Sequence, residues 1–179
     1  MKFLSFDLEL NQASTGAKII EVGACVGETN NGKILSTYSC LVNPYEILEP
    51  KIIALTGITQ AEVDIGKSIV EAYLGMEELA RCYNCLHMPL VWGCGDGYAL
   101  RLELPKDIKW YFSRRELDVK AVYQSYQIAN GGKIEAGLNK AMDKINLIFQ
   151  GKIHRAKDDA INTFLIFCEL LKKFKIITR

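Results

Sequence analysis

Two acidic residues separated by one position, Asp7 and Glu9, stand inside an apolar run near the start of the 179-residue sequence. In an extended chain, residues two apart point to the same side, so Phe6-Asp7-Leu8-Glu9-Leu10 sets both carboxyls side by side. They could share one cation. Without such a partner, the pair on an apolar strand bears desolvation and mutual repulsion. Taken alone, Asp-x-Glu also fits a solvated strand edge. A third acid, Asp96, closes Trp92-Gly93-Cys94-Gly95-Asp96, a glycine-rich loop after a short apolar run. By itself it fits an Asx-turn. The last group is His154-Arg155-Ala156-Lys157-Asp158-Asp159-Ala160, at the opening of a final apolar periodicity. Acids in a first helical turn are favoured by the helix N-terminus, which accounts for one of the two aspartates as a cap. An imidazole just ahead of them suits proton transfer near neutral pH. On its own, His154 also fits a surface histidine.

Secondary structure has to bring these pieces together. Residues 2–10 read as a strand and 11–16 as a loop, followed by β-like runs over 18–27 and 34–42. Between those two runs, Glu28-Thr29-Asn30-Asn31-Gly32 supplies the Asn-Gly pair of a tight hairpin. The opening is therefore a three-stranded meander. After Asn43-Pro44 the pattern turns helical, with a short turn at 51–55, a Thr56-Gly57-Ile58-Thr59 turn and a core-packed helix over 67–83. Pro89–Trp92 reads as a buried parallel strand whose C-terminal end carries the glycines and Asp96. A further strand is predicted at 108–112, a helix from about Asp118, another over 134–147, and a last one from Ala156 to about Lys173. Its lysine-rich end complements the helix dipole.

In their order along the chain, these motifs resemble the DEDDh branch of the DnaQ-like (RNase T-type) 3′→5′ exonucleases. Phe6-Asp7-Leu8-Glu9 resembles the first family motif, and Trp92-Gly93-x-x-Asp96-x-x-x-Leu100 the second, in the form found in the Eri-like exoribonuclease group. His154-x-Ala156-x-x-Asp159-Ala160 resembles the third, with its five-residue step from histidine to acid. Ile20-Glu21-Val22-Gly23-Ala24 and Leu55-Thr56-Gly57-Ile58-Thr59 agree with it as well. Cys94 departs from the pattern, since Eri-like members often carry an acid there.

The resemblance implies an α/β, RNase H-like fold. Its mixed five-stranded sheet has an antiparallel meander of the first three strands plus parallel fourth and fifth strands, flanked by helices, in a single exonuclease domain spanning 1–179. It also implies two divalent cations, Mg²⁺ or Mn²⁺, on Asp7, Glu9, Asp96 and Asp159. Asp7 would bridge them, Glu9 and Asp159 would serve the side of the attacking water, Asp96 would serve the other side, and His154 would act as general base. Asp158 is then a cap or a surface charge. Leu8, Leu10, Leu55 and Thr56 would grip the terminal nucleotide, and the products would be nucleoside 5′-monophosphates. The expected partner is a nucleic-acid 3′ end, RNA favoured. A DNA-directed proofreading or repair enzyme is the alternative within enzymes, and an inactive RNase H-like binding module is the alternative outside them. Lys18, Lys51, Arg101, Arg114 and Arg115 could meet phosphates or be ordinary surface charges.

Bulk properties narrow the field less. Lys and Arg number 22 against 21 Asp and Glu, so there is no global positive field of the kind that coats nucleic acid. A site gripping a few phosphates needs only local charge. The N-terminal run, broken by Asp7 and Glu9, does not read as a signal peptide, and no uncharged stretch reaches membrane-spanning length. The expected setting is soluble and cytoplasmic, with no membrane. Monomer and homodimer both remain open. Six cysteines in a chain of this size read as reduced thiols. Cys82-Tyr-Asn-Cys85-Leu-His87 could offer three zinc ligands, but helix-end cysteines beside a loop explain it better, because no second Cys/His cluster accompanies it.

Overall fold

The computed structural model describes residues 1–13, 16–134 and 137–177. Its elements are β1 (Lys2–Ala13), β2 (Gly16–Glu28), β3 (Lys33–Leu41), α1 (Pro50–Thr56), α2 (Gln60–Asp64) and α3 (Ile69–Cys82). They continue with β4 (Leu90–Val91), α4 (Asp96–Glu103), β5 (Leu117–Asp118), α5 (Val119–Ala129), α6 (Leu138–Lys144) and α7 (Ala156–Ile177). The sheet runs β3-β2-β1-β4-β5, antiparallel across the meander and parallel from β1 through β4 to β5. This is the RNase H-like layout, with β1 central.

Alternation along β1 and β2 assigns the two faces of the sheet. Leu4, Phe6 and Leu8 join Val22, Ala24 and Val26 in a core closed by Ala72, Tyr73, Met76 and Ala80 of α3. The opposite face carries Phe3 and Cys25 against Phe164, Phe167 and Cys168 of α7. Asp7 and Glu9 lie on this second face by the period of two. Two glycines of β2 let α7 lie flat there. A Cβ on Gly23 would run into the backbone of Ala156 and Lys157, and one on Gly27 into the Phe164 ring.

Local signals explain most element ends. Ser68 and Thr59 cap α3 and α2 in reciprocal boxes with Glu71 and Glu62, each worth about 1 kcal/mol. Asp118 caps α5 by accepting from Ala121 N–H. The turn after α1 uses Gly57 at φ +71°.

Three boundaries differ from expectation. The first two strands run on through much of the expected 11–16 loop, pairing as far as Ala13 with Gly16; the remainder of that loop, residues 14 and 15, lies outside the described residues. The expected 134–147 helix is shorter, Leu138–Lys144, and residues 135 and 136 likewise lie outside the description. The fifth strand is Leu117–Asp118, not 108–112. In the latter segment the backbone bonds a side chain instead of a ladder. Tyr73 Oη donates to the Lys109 carbonyl and accepts from Tyr111 N–H, while Trp110 stacks on the Tyr73 ring at 5.3 Å. Among the described residues, no helix is long and apolar enough to cross a membrane.

Candidate active site

Asp7 and Glu9 project from the middle of β1, where their cross-strand partners are Gly23 and Glu21. Gly23 has no side chain, so α7 begins directly over the partner of Asp7. Asp159, in the first turn of α7, is thereby delivered to the carboxylate pair. Asp96 arrives from the other side. It follows β4 through Gly93 and Gly95, whose φ of +91° and +132° turn the chain into α4, with Asp96 as the first residue of that helix. Ser5 Oγ donates to the Leu90 carbonyl, tying β4 to β1 beside the site.

Electrostatics report the crowding. Burial, then the charges of Asp96, Asp159, Glu9 and Glu21, push the Asp7 carboxyl well above the usual carboxylate range. Glu9 is raised to about 8, first by burial and then by Asp159 and Glu21, with Arg155 opposing. Burial, then the charge of Glu116, raises Asp96 to about 7. Asp159 also rises to about 7 by burial, against a pull down from the His154 backbone amide. Four carboxyls are thus unfavourable as bare anions in one place.

His154 precedes α7 with a left-handed backbone, φ +62°, a conformation costing a non-glycine residue about 1–2 kcal/mol. One ligand atom each from Glu9, His154 and Asp159 lies within 4.8 Å of the others. The neighbouring Asp158 is not part of this group. Its carboxylate instead accepts from Lys152 N–H at 2.8 Å and pairs with Lys157, holding the loop before the helix. Buried Asn162 fastens the same loop through Gln150 N–H and C=O.

Two clefts flank the acids. One, of about 450 Å³, is lined by Leu8, Glu9, Leu10, Gln12, Lys51, Ile52 and Leu55. The other, of about 650 Å³, has Ile134, Leu138, Asn139, Lys140 and Ile153 beside His154 and Asp159. Thr56 is not in the first lining. It is buried, its hydroxyl donating to the Ile52 carbonyl and accepting from Ile58 N–H, while its own carbonyl accepts from Lys152 Nζ. Of the basic residues considered for phosphate contact, Lys51 faces the first cleft. Arg101 is engaged with Glu116 at 3.5 Å and the Trp110 ring at 4.9 Å. At the Cys82/His87 segment, Cys82 is exposed, Cys85 is buried, and His87 Nδ1 bonds the Tyr111 carbonyl.

Sequence reasoning passed over the partners of Glu21. This residue is wholly buried in β2 and accepts from Ser39 Oγ, Arg155 Nε, Arg155 Nη2 and Ala156 N–H. The available signal was a lone acid in the apolar run Ile19-Ile20-Glu21-Val22-Gly23-Ala24.

The mixed five-stranded sheet with its flanking helices has the layout of RNase H-like exonucleases. A family model for exonuclease domains of the RNase T type matches residues 4–167, and the chain belongs to that exonuclease family. Human ERI1 exoribonuclease 2 is 27% identical over 180 residues, covering 87% of this chain and 25% of that protein. The 3′-5′ exonuclease Snipper of Drosophila melanogaster is 25% identical over 179 residues, covering 87% of this chain and 62% of that one. The chain thus spans about a quarter and about three fifths of these two relatives. The fold is shared with the rAMP-bound nuclease domain of 3′hExo, a DEDDh family member, at TM-score 0.79 and 20% identity over 96% of this chain and 92% of that one. It is also shared with S. pombe Pop2p in a form holding Mg²⁺ and Mn²⁺, at TM-score 0.68 and 18% identity over 97% of this chain and 84% of that one.

Proposed function

We propose that residues 1–179 act as one metal-dependent exonuclease domain that hydrolyses the last phosphodiester bond of a nucleic-acid 3′ end, releases nucleoside 5′-monophosphates and favours RNA. The observation that carries this reading is the meeting of Glu9, His154 and Asp159 ligand atoms within 4.8 Å, beside an Asp7 carboxyl that feels the charges of all three other acids.

The donor set fits divalent cations. Asp159 Oδ1 is buried and has no hydrogen-bond partner, and the raised carboxyls would be relieved by positive charge. Carboxylate oxygens are hard ligands that suit Mg²⁺ or Mn²⁺. Asp7, Glu9, Asp96 and Asp159 would hold two such ions, which supply the charge stabilisation that attack at a phosphodiester requires. His154, exposed to solvent and next to Glu9 and Asp159, takes the proton from the attacking water. Leu8, Leu10 and Leu55 offer an apolar wall to the terminal base in the 450 Å³ cleft. Thr56 stands behind this wall, its hydroxyl and carbonyl already bonded within the fold, and would support Leu55 in the grip on the terminal nucleotide.

The lean to RNA rests on the exoribonuclease relative and the Trp92-Gly93-x-x-Asp96 form. The test is competition between RNA and DNA oligonucleotides of one sequence, labelled at either end, with Mg²⁺, Mn²⁺ or EDTA. Faster shortening of RNA from its 3′ end supports the proposal. A DNA preference would transfer it to the DNA-directed alternative, and absence of cleavage on both would leave a binding module.

A further inference from the structure

The proposed mechanism gives Glu21 and Arg155 no chemical step, yet they form the most heavily bonded ion pair near the site. Arg155 Nε and Nη2 reach the Glu21 carboxylate at 3.0 and 2.9 Å, and Ala156 N–H donates to the same group at 3.1 Å. Glu21 is anchored in turn by Ser39 Oγ of the neighbouring strand at 2.9 Å. Two parallel N–H bonds to one carboxylate fix orientation as well as distance.

Arg155 follows His154 directly, and Ala156 is the first residue of α7. Glu21 therefore grips the two residues after the histidine, on a rigid strand, where the backbone turns left-handed at φ +62°. A strained residue persists only where its surroundings over-determine it. Asp159, by contrast, sits deeper in a helix seated by buried Ala156, Ala160 and Phe164. Loss of the clamp should release the histidine before it moves the acid.

We propose that Glu21 and Arg155 are positioning residues whose ion pair holds His154 in its strained backbone conformation, facing Glu9 and Asp159. The inference rests on the exonuclease reading for its kinetic consequence, but not for its geometric one.

The experiment has two arms. In the kinetic arm, Glu21→Gln is made in the wild type and in a His154→Ala background, and kcat and KM are measured on an RNA oligonucleotide. The clamp predicts a loss of about 10- to 100-fold in kcat in the wild type with KM within about twofold, and less than about twofold further loss once the imidazole is gone. Arg155→Lys, which keeps the charge but loses the fork, should show the same pattern at smaller size. Equal factors in both backgrounds would mean a general structural role and overturn the proposal. In the second arm, the imidazole resonances are recorded by NMR; with only two histidines they can be assigned by the His154→Ala spectrum. Glu21→Gln or Arg155→Lys should shift or broaden the His154 signals and leave His87 in place. Unmoved His154 signals in both variants would overturn the clamp even in an active enzyme. A wild type without exonuclease activity would defeat the functional reading, and the spectra would still decide the clamp.

Discussion

Glu9 and Glu21 are direct cross-strand partners on β1 and β2, yet they meet opposite surroundings. Glu21 is matched by the Arg155 guanidinium and an amide, whereas Glu9 faces Asp159 and is pushed up to about 8. One glutamate is neutralised by the protein itself. The other is left needing a cation from outside, and the first expectation follows from that asymmetry.

The pH dependence has a definite sign. The carboxyls of Glu9, Asp96 and Asp159 have folded values above their ordinary ones, so their contribution to stability is full below about pH 4 and is lost as pH rises through 7 to 8, and Asp7, raised by burial and the same neighbours, acts in the same direction. In EDTA, Tm should fall between pH 6 and 8.5. A cation at 100 times its Kd adds about 2.7 kcal/mol, roughly 5–10 °C for a chain of this size. The gain on adding Mn²⁺ should be largest at pH 8 to 8.5 and smallest near pH 6, as read by thermal denaturation. A gain that shrinks with rising pH would contradict the cation site.

Asp158 and Asp159 should separate cleanly. Asp159→Asn removes an acid that meets Glu9 and His154, and turnover should fall by about 10²- to 10³-fold, in the range seen when a group acting in the transition state is lost. Asp158→Ala frees Lys152 N–H, should cost about 1 kcal/mol of stability, and should leave activity within about threefold. Activity and Tm of the two variants, measured together, check both statements.

His154→Ala should lower kcat by about 10²- to 10⁴-fold, the usual contribution of a positioned acid–base group. KM should change little, because the apolar cleft beside Leu55 is untouched. Steady-state kinetics at saturating Mg²⁺ distinguish this from a binding defect, which would raise KM instead.

Leu55 is 49% exposed and lines the cleft, so Leu55→Ala should spare stability while raising KM about 10-fold through lost apolar contact. An unchanged KM would remove this cleft from the substrate path.

The sequence made much of this arrangement legible, because the relevant signals were local. Asp-x-Glu on an apolar run, Asn31-Gly32 at a hairpin, and His154 ahead of a capped periodicity each depend on neighbours a few positions away. The errors arise where distant side chains act on backbone. Residues 108–112 look like a strand, but the Tyr73 hydroxyl, 36 and 38 positions away, takes the Lys109 carbonyl and the Tyr111 N–H. Likewise, Glu21 was visible as part of a motif while its partner Arg155 lies 134 positions on. The sequence also carries no sign that the Thr56 hydroxyl closes the end of its own helix, which bears on how this residue would serve a substrate without deciding it.

Asp7, Glu9, Asp96, Asp159 and His154 are proposed to form one metal-dependent site working from a 3′ end. The decisive measurement is product analysis on a 5′-labelled RNA oligonucleotide, comparing the wild type with Asp7→Asn in Mg²⁺ and in EDTA. Such a site should give a ladder shortened one nucleotide at a time from the 3′ end, nucleoside 5′-monophosphates as products, and no shortening in EDTA or with Asp7→Asn. Cleavage that persists in EDTA, internal cuts, or full activity of Asp7→Asn would contradict it.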